Sequence, residues 1–490
     1  MNKLIVKNLF FLFTLLFFAG CKKNLEEKIY GNANDTNFWE TEGDFKIAIN
    51  SAYGRLGTPW KGFSLWQFAI EDLSTDYGYG GYSDSRPYSS YTGWSSSNPQ
   101  SIDWGLWSYL WQGVSYCNKI IDKAESANIP EDAKGRFIAE AKALRAFTYF
   151  NLVNWFGGVP LVTSSVEVPL SIPRATAAET YALIERDLSE AIELLPSKST
   201  LVAAGEREYG RLTKGGAQGL LARAYLQQKK WSEVEKMSSD IIASREYRLI
   251  EDYTNIFSLA NEGFKNEEIL WSLAFGGMQN GVRINGMYLQ VYLYKAPGYP
   301  AYSSYSSWGG NMAVSNEFYE SFSADDERRK LLVREYRDQS GATRISNPVM
   351  MIKYPEDLTN SDKEISSTDY IVVRYADVLL MRAEALNELG RLDDAIEVLN
   401  EVRERADLPE LETADFDKIS LSNHIYKERR WELYFEGHGK RDMTRFGTLL
   451  EHIKKVSADA GDDPERYLLL PLPTSALSAN PALKQNPGFK

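Results

Sequence analysis

The stretch AEALNELGRLDDAIEVLNEV, residues 383–402, decides the fold class of this 490-residue chain. Leu386 and Leu389 end one apolar stripe, and Gly390 provides a turn. Apolar residues then resume at helical spacing, at Leu392, Ala395, Ile396, Leu399 and Val402. Because this spacing places them on one face of a second helix, the stretch predicts two helices joined as a hairpin.

Similar patterns recur along the chain. Their amino-acid sequences resemble the tetratricopeptide repeat, in which small alanines let antiparallel helices approach closely. One unit reads ARAYLQQKKWSEVEKMSSDII over residues 222–242. No sustained alternation of apolar and polar residues indicates a β-sandwich or barrel. We therefore predict a mainly α fold with a right-handed superhelical scaffold of tetratricopeptide-like hairpins, around residues 107–152, 180–195, 214–242 and 370–402.

Two aromatic-rich segments interrupt the helical pattern. Between Trp60 and Trp111, 14 of 52 residues are Trp, Tyr or Phe, and between Tyr288 and Trp308 the count is seven of 21. Both segments are also rich in small, polar or turn-forming residues, and neither has helical periodicity where the aromatics are densest. We predict that they are ordered insertions projecting from the helical scaffold, at about 60–104 and 276–312.

Aromatic insertions are suited to binding sugars. A flat ring can stack on the C–H face of a sugar while nearby polar groups bond to its hydroxyls. Trp94 lies in SYTGWSSSNP without apolar neighbours at helical spacing, so we predict that it is a surface stacking platform. Trp104, Trp107 and Trp111 recur at i, i+3 and i+7, which instead predicts one core-facing helix stripe.

The sequence contains no recognisable catalytic or metal-binding motif. His424, His438 and His452 lack the spacing of a zinc protease, and there is no CxxC pair, GxSxG elbow or GxxxxGK loop. The sequence does not exclude the paired catalytic carboxylates of a glycosidase, because 67 acidic side chains supply many pairs. The net charge of −12 argues against a nucleic-acid-binding surface. We expect His438 to be a packed residue at a helix end.

The first 20 residues have the pattern of a secretory signal: a short basic region, an apolar run and small residues before a cleavage site. They end in Ala19-Gly20, and Cys21 follows directly; the three residues resemble a bacterial lipobox, so we expect Cys21 to carry the lipid anchor. A flexible tether over residues 21–36 would follow. The remaining cysteine, Cys117, lies in an apolar run and is expected to be a buried small residue.

Six blocks together resemble the SusD/RagB family of outer-membrane nutrient-binding lipoproteins. They are NFWETEGDFKIAINSAYGRL from Asn37, AKALRAFTYFNLVNWFGGVPL from Ala141, GRLTKGGAQGLLARAYL from Gly210, RYADVLLMRAEALN from Arg374, ERRWELYFEGHGKRDMTRFG from Glu428, and PLPTSALSANPALKQNPGF from Pro471. Because the blocks follow the family's order over almost the whole mature chain, we expect a single domain over residues 21–490. Charged residues of the fifth block can form an ion-paired cluster: Glu428, Arg429, Arg430, Arg441 and Asp442.

The resemblance implies a lipid-anchored protein at the cell surface of a Gram-negative bacterium. Such a protein captures an oligosaccharide or polysaccharide and passes it to a SusC-like TonB-dependent outer-membrane transporter. The resemblance implies neither enzymatic activity nor a cofactor. By position, it assigns the ligand-binding side chains to the two insertions, at Asp72, Trp94, Asn98, Tyr302, Tyr305 and Trp308.

Three other functions stay open on the sequence alone. The same scaffold could serve a peptide or another non-glycan nutrient. A lipid-anchored glycoside hydrolase or esterase is a second alternative, and a pure assembly scaffold is a third. The sequence also leaves open the identity of the ligand and whether a calcium ion braces a loop.

Overall fold

The computed structural model describes residues 38–56, 63–81, 85–94, 105–275, 278–279, 282–283, 292–300, 312–359 and 367–489. The chain is mainly α, as predicted. The α-helices are α1 Glu42–Leu56, α2 Phe63–Gln67, α3 Arg86–Ser90, α4 Leu106–Ser126, α5 Glu131–Phe156, α6 Ala177–Leu194, α7 Lys198–Ala204, α8 Lys214–Gln227, α9 Trp231–Ser244, α10 Asn316–Glu320, α11 Tyr375–Glu388, α12 Leu392–Arg405, α13 Lys418–Leu433, α14 Gly439–Arg445, α15 Leu449–Val456 and α16 Thr474–Ala479. None of the described helices is both long enough and apolar enough to cross a membrane.

The strands are short and form three small sheets. They are β1 Gly78–Gly80, β2 Ile269–Leu273, β3 Met278–Gln279, β4 Val282–Arg283, β5 Met312–Val314, β6 Leu332–Arg337, β7 Thr343–Met351 and β8 Tyr370–Arg374. The four-stranded sheet has the order β1-β5-β7-β6, while β2 pairs with β8 and β3 with β4. All strand pairs are antiparallel.

Packed helices form the scaffold. Helix α5 lies between α4 and α6, which explains why its buried residues surround it instead of forming a single stripe. Helix α6 begins with a capping box, in which Thr176 Oγ1 accepts from the Glu179 backbone N–H. Pairs α8–α9 and α11–α12 are joined by very short turns, and Gly390 has a φ of +78° in the second turn.

One part of the predicted hairpin at 370–402 is not helical. Residues 370–374, YIVVR, form strand β8, which is buried on both faces and pairs with β2. The β-branched run favours a strand, and the helical pattern begins only at Tyr375. Helix α8 approaches β8 closely, because a Cβ on Gly219 would lie only 2.6 Å from Val373 Cγ1.

A buried ionic network connects α13 to distant parts of the chain. Glu432 accepts from Arg374 Nη1 at 2.5 Å and from Arg328 Nη1 at 3.3 Å, and Arg405 also donates to it. Burial alone would raise the pKa of Glu428, but Arg328 and other cations lower it to about 2. Within the fifth block itself, Arg429 pairs with Asp442 at 2.9 Å. The network fixes α13 in the core through charges that water cannot reach.

Candidate functional site

Asp72, predicted to bind ligand, belongs to the protein core. It is fully buried, at the end of a π-helical turn that follows α2. Tyr77 Oη donates to its Oδ1 at 2.6 Å, and the Gly437 N–H donates to Oδ2 at 2.9 Å. Burial raises the pKa of Asp72 well above its usual range. The prediction is wrong in placing this carboxylate on a ligand-facing surface, because it bonds the first insertion to the chain just before α14.

Trp94 is also a core residue, so the prediction of a surface stacking platform is wrong. Its side chain is only 6% exposed, and its indole N–H donates to the Pro87 carbonyl at 2.8 Å. The ring stacks on Tyr91 at 5.3 Å and meets the edge of Tyr467 at 5.2 Å. Tyr467 lies near the C-terminus. The local sequence around Trp94 therefore contains no sign that this residue buries the indole ring.

The other proposed contacts stay predictions. Cys21, Asn98, Tyr302, Tyr305 and Trp308 lie outside the described residues.

Several further predictions from the sequence are confirmed. Trp107 is buried and Trp111 half-buried on α4, with their ring centroids 5.6 Å apart. Trp104, the third member of that stripe, lies outside the described residues. Cys117 is buried, which raises the pKa of its thiol to about 12. His438 is packed at the start of α14, where burial and Arg223 lower its pKa well below the usual range.

The two insertions meet in the four-stranded sheet. Strand β1 comes from the first insertion and β5 from the end of the second, with Tyr79 opposite Ala313 and Gly80 opposite Met312. Met312 directly follows the segment that carries Tyr302, Tyr305 and Trp308. The Tyr294 N–H also donates to the Met312 carbonyl at 2.9 Å. We call this place, formed by β1, β5 and residues 292–300, the insertion junction.

Tyr79 is the exposed aromatic side chain of the insertion junction. It is 43% exposed on β1, between two glycines. A Cβ on Gly78 would collide with the Asp72 carbonyl, so that side of the strand packs directly on the core. Because side chains alternate along a strand, Tyr79 projects to the opposite side. Tyr79 was not among the ligand-binding residues predicted from the sequence, although the alternation Gly-Tyr-Gly was a usable signal.

Further tyrosines lie close to the insertion junction. The rings of Tyr299 and Tyr336 meet edge to face at 5.6 Å, and Tyr336 Oη donates to the Pro297 carbonyl at 2.7 Å. Tyr299 is half-buried and Tyr336 is buried, so Tyr299 is the phenol of this pair that can stack on a sugar and bond to its hydroxyls. Within the described part of the chain, no group of three His, Cys, Asp or Glu side chains could hold a metal ion.

A pair of carboxyl groups lies where the second insertion begins. The Phe275 N–H donates to Asp369 Oδ1 at 2.8 Å, Tyr209 Oη donates to Oδ2 at 2.5 Å, and the Asp369 N–H donates to Glu262 Oε1 at 2.9 Å. Burial raises the pKa of Glu262 to about 8, and the negative charge of Asp369 adds to this effect. Burial likewise raises the pKa of Asp369 to about 6.

These raised pKa values predict a loss of stability with rising pH. The contribution of Glu262 is complete below its unfolded pKa of 4.5 and is lost as the pH rises through about 8. We expect Glu262→Gln to remove part of this decline when urea unfolding is measured from pH 5 to pH 9. An unchanged pH profile in the variant would mean that Glu262 titrates alike in the folded and unfolded chain.

Two family profiles match separate parts of the chain. A profile described as "SusD family" matches residues 336–489. A second, described as "Starch-binding associating with outer membrane", matches residues 82–226. The second match includes the blocks from Ala141 and Gly210 and only residues 82–104 of the first predicted insertion, while the first includes the blocks from Arg374, Glu428 and Pro471.

Full-length similarities agree with these profiles. SusD-like protein P38 of Formosa agariphila is 26% identical over 98% of this chain and 99% of its own. A solved "Laminarin binding SusD-like protein" superposes with a TM-score of 0.76 at 25% identity, over 92% of this chain and 100% of its own. Surface glycan-binding protein A from Bacteroides thetaiotaomicron, solved with laminarihexaose, gives a TM-score of 0.75 at 23% identity over 91% of this chain and 99% of its own.

Proposed function

Because the chain belongs to the SusD/RagB family, we propose that it captures an oligosaccharide or polysaccharide at the cell surface and delivers it to a SusC-like TonB-dependent outer-membrane transporter. Glycan binding and association with the outer membrane follow from the family. The finer parts of the proposal are that a lipid on Cys21 holds the protein at the cell surface and that the glycan is delivered to the transporter. We also propose that the protein does not catalyse a reaction. The observation that carries the proposal is full-length similarity to a laminarin-binding protein.

The proposed glycan site is the insertion junction. In its support, β1 and β5 bring the two aromatic insertions side by side, and Tyr79 is exposed there although it is a large aromatic residue. An exposed aromatic side chain on a rigid strand can bind with little loss of conformational entropy. Asn98, Tyr302, Tyr305 and Trp308, which the family resemblance assigns to ligand binding, stay further candidate contacts.

Tyr79→Ala is expected to weaken polysaccharide binding about fivefold to tenfold, because removing a central aromatic contact costs about 1 kcal/mol or more. Affinity gel electrophoresis against a panel of polysaccharides measures this loss. The melting temperature should stay close to that of the parent protein, since the side chain is partly exposed.

Tyr116→Ala is the matched control. Tyr116 is 47% exposed, but it lies on α4 and outside the insertion junction. It should leave the retardation unchanged. Equal effects of both substitutions, or none from Tyr79→Ala, would remove the insertion junction as the site. If no polysaccharide retards the protein and an oligopeptide pool gives heat in calorimetry, the ligand is a peptide.

A further inference from the structure

A cleft lined by both charged and apolar residues lies beside α14, away from the β1–β5 pairing. It has a volume of about 450 Å³. Its walls come from α14, from the segment around Leu468, from the C-terminal tail, and from the ends of α5 and α8. The lining residues that bear on its chemistry are Gln227, Lys440, Asp463, Glu465, Arg466 and Leu468.

Lys440 places a buried cation in this cleft. The residue is 3% exposed, and its Nζ lies 5.2 Å from the centre of the Trp94 ring. Of its three N–H donors, one bonds to the Leu468 carbonyl at 3.1 Å. Within the described residues, no carboxylate forms an ion pair with it. Burial lowers the pKa of Lys440 to about 8, so the ammonium is still mostly charged at pH 7.

Glu71, the carboxylate whose charge acts on Lys440, is already engaged. Its Oε1 accepts from the Trp155 indole at 2.7 Å, and its Oε2 accepts from the Arg441 backbone N–H at 3.0 Å. The Arg441 guanidinium lies 3.4 Å from the same carboxylate. Glu71 therefore lowers the cost of the Lys440 charge from a distance, but it provides no direct partner.

Lys353 shows how this fold satisfies a buried amine elsewhere. It is also fully buried, with its pKa lowered to about 8 by burial. Its Nζ bonds to Glu436 Oε1 at 2.6 Å, to the Tyr434 carbonyl at 2.9 Å and to Tyr253 Oη at 3.1 Å. Buried charges in proteins are normally paired in this way. Lys440 departs from the rule at the wall of a cleft, where a bound ligand can provide the missing partner.

The other groups around the cleft indicate the chemical class of that ligand. Arg466 Nε is buried and has no acceptor among the described residues. Asp463 and Glu465 are exposed, and their carboxylates can accept hydrogen bonds from hydroxyls. The same two acids would repel a second negative charge. Leu468 and Leu469 add apolar surface, and a volume of about 450 Å³ suits a ligand of one or two sugar rings.

We propose that this cleft is a second binding site, for a sugar residue that carries one carboxylate, such as a uronic acid. The carboxylate pairs with Lys440, while Asp463 and Glu465 accept from the ring hydroxyls. The choice of a sugar rests on the proposed function, but the cleft is separate from the insertion junction. Acidic units of a captured glycan would thus be recognised at a different place from its neutral units.

The test is calorimetry of the purified protein with D-galacturonic acid and D-glucuronic acid, beside glucose and alanine. At least one uronic acid should bind, and glucose and alanine should not. Lys440→Met should lower that affinity at least tenfold and leave the melting temperature unchanged or higher, because it removes a buried charge that has one carbonyl acceptor and no carboxylate partner. Tyr79→Ala should leave uronic acid binding intact.

Four outcomes would overturn the proposal. They are no binding of either uronic acid, equal binding of glucose or alanine, full affinity in Lys440→Met, and a strongly lowered melting temperature in Lys440→Met. Lys353→Met provides the comparison, because it removes one of the two cations that pair with Glu436, leaving Arg374, and it takes the donor from two oxygen acceptors, so it should lower the melting temperature. Failure of Tyr79→Ala to affect polysaccharide retention would count against the insertion junction as the glycan site, and failure of every polysaccharide to retard the protein would count against the proposed function; neither result bears on Lys440.

Discussion

Replacing Glu432 with glutamine is expected to lower the free energy of unfolding by about 3–5 kcal/mol, the usual cost of breaking a buried ion pair. Its carboxylate is fully buried and accepts from Arg374 and Arg405, and Arg328 lies within 3.3 Å. Burial opposes ionisation, yet these arginines keep the pKa of Glu432 far below its usual range. Glutamine keeps the shape of the side chain, so the loss would come from charge. Urea unfolding at pH 7 measures it.

Glu327→Gln is the control for this substitution. Glu327 pairs with Lys330 at 2.5 Å, but both side chains are accessible to water, at 29% and 61% exposure. Exposed pairs contribute about 1 kcal/mol or less. A loss of similar size in both variants would show that the buried network is no more important for stability than a surface pair.

Trp94→Ala is expected to destabilise the fold by about 3–5 kcal/mol, because it removes a large buried ring from contact with Tyr91 and Tyr467. The indole hydrogen bond to the Pro87 carbonyl is lost as well. A clear fall in the melting temperature measures the effect. Tyr79→Ala, at an exposed site, provides the comparison and should melt close to the parent protein. If the variant kept the melting temperature of the parent protein but no longer bound glycan, Trp94 would be a surface binding residue and not a core residue.

The fold class could be predicted from the sequence because its evidence is local. The two helices of residues 383–402 contact each other across a short turn, so the pattern that forms each helix also predicts the pair. Strand β8 was missed because a five-residue apolar run before a helix reads as part of the helical pattern. Its pairing partner, β2, lies about 100 residues earlier in the chain.

The candidate site was less accessible to sequence reasoning. The burial of Trp94 depends on Tyr467 and Lys440, and that of Asp72 depends on Gly437; all three partners are near the other end of the chain. The polar sequence around Trp94 therefore gave no warning that its side chain is in the core, and the partner that holds Asp72 there is a backbone N–H far from it in the chain. The ion-paired block illustrates the same limit, because Glu428 finds its partner outside the block, in Arg328.

The hydrogen bond between Asp72 and Gly437 joins residues 365 positions apart, and it has a consequence for the order of folding. A chain that leaves the ribosome or crosses a membrane with its N-terminus first presents the first insertion long before residue 437 arrives. Contacts of such long sequence separation form late, because the entropy of closing the loop opposes them. Strand β1 lies just after Asp72, so the insertion junction is fully supported only once almost the entire polypeptide is available to fold. Release of a shortened chain would leave the N-terminal aromatics exposed, as targets for proteases and quality-control chaperones.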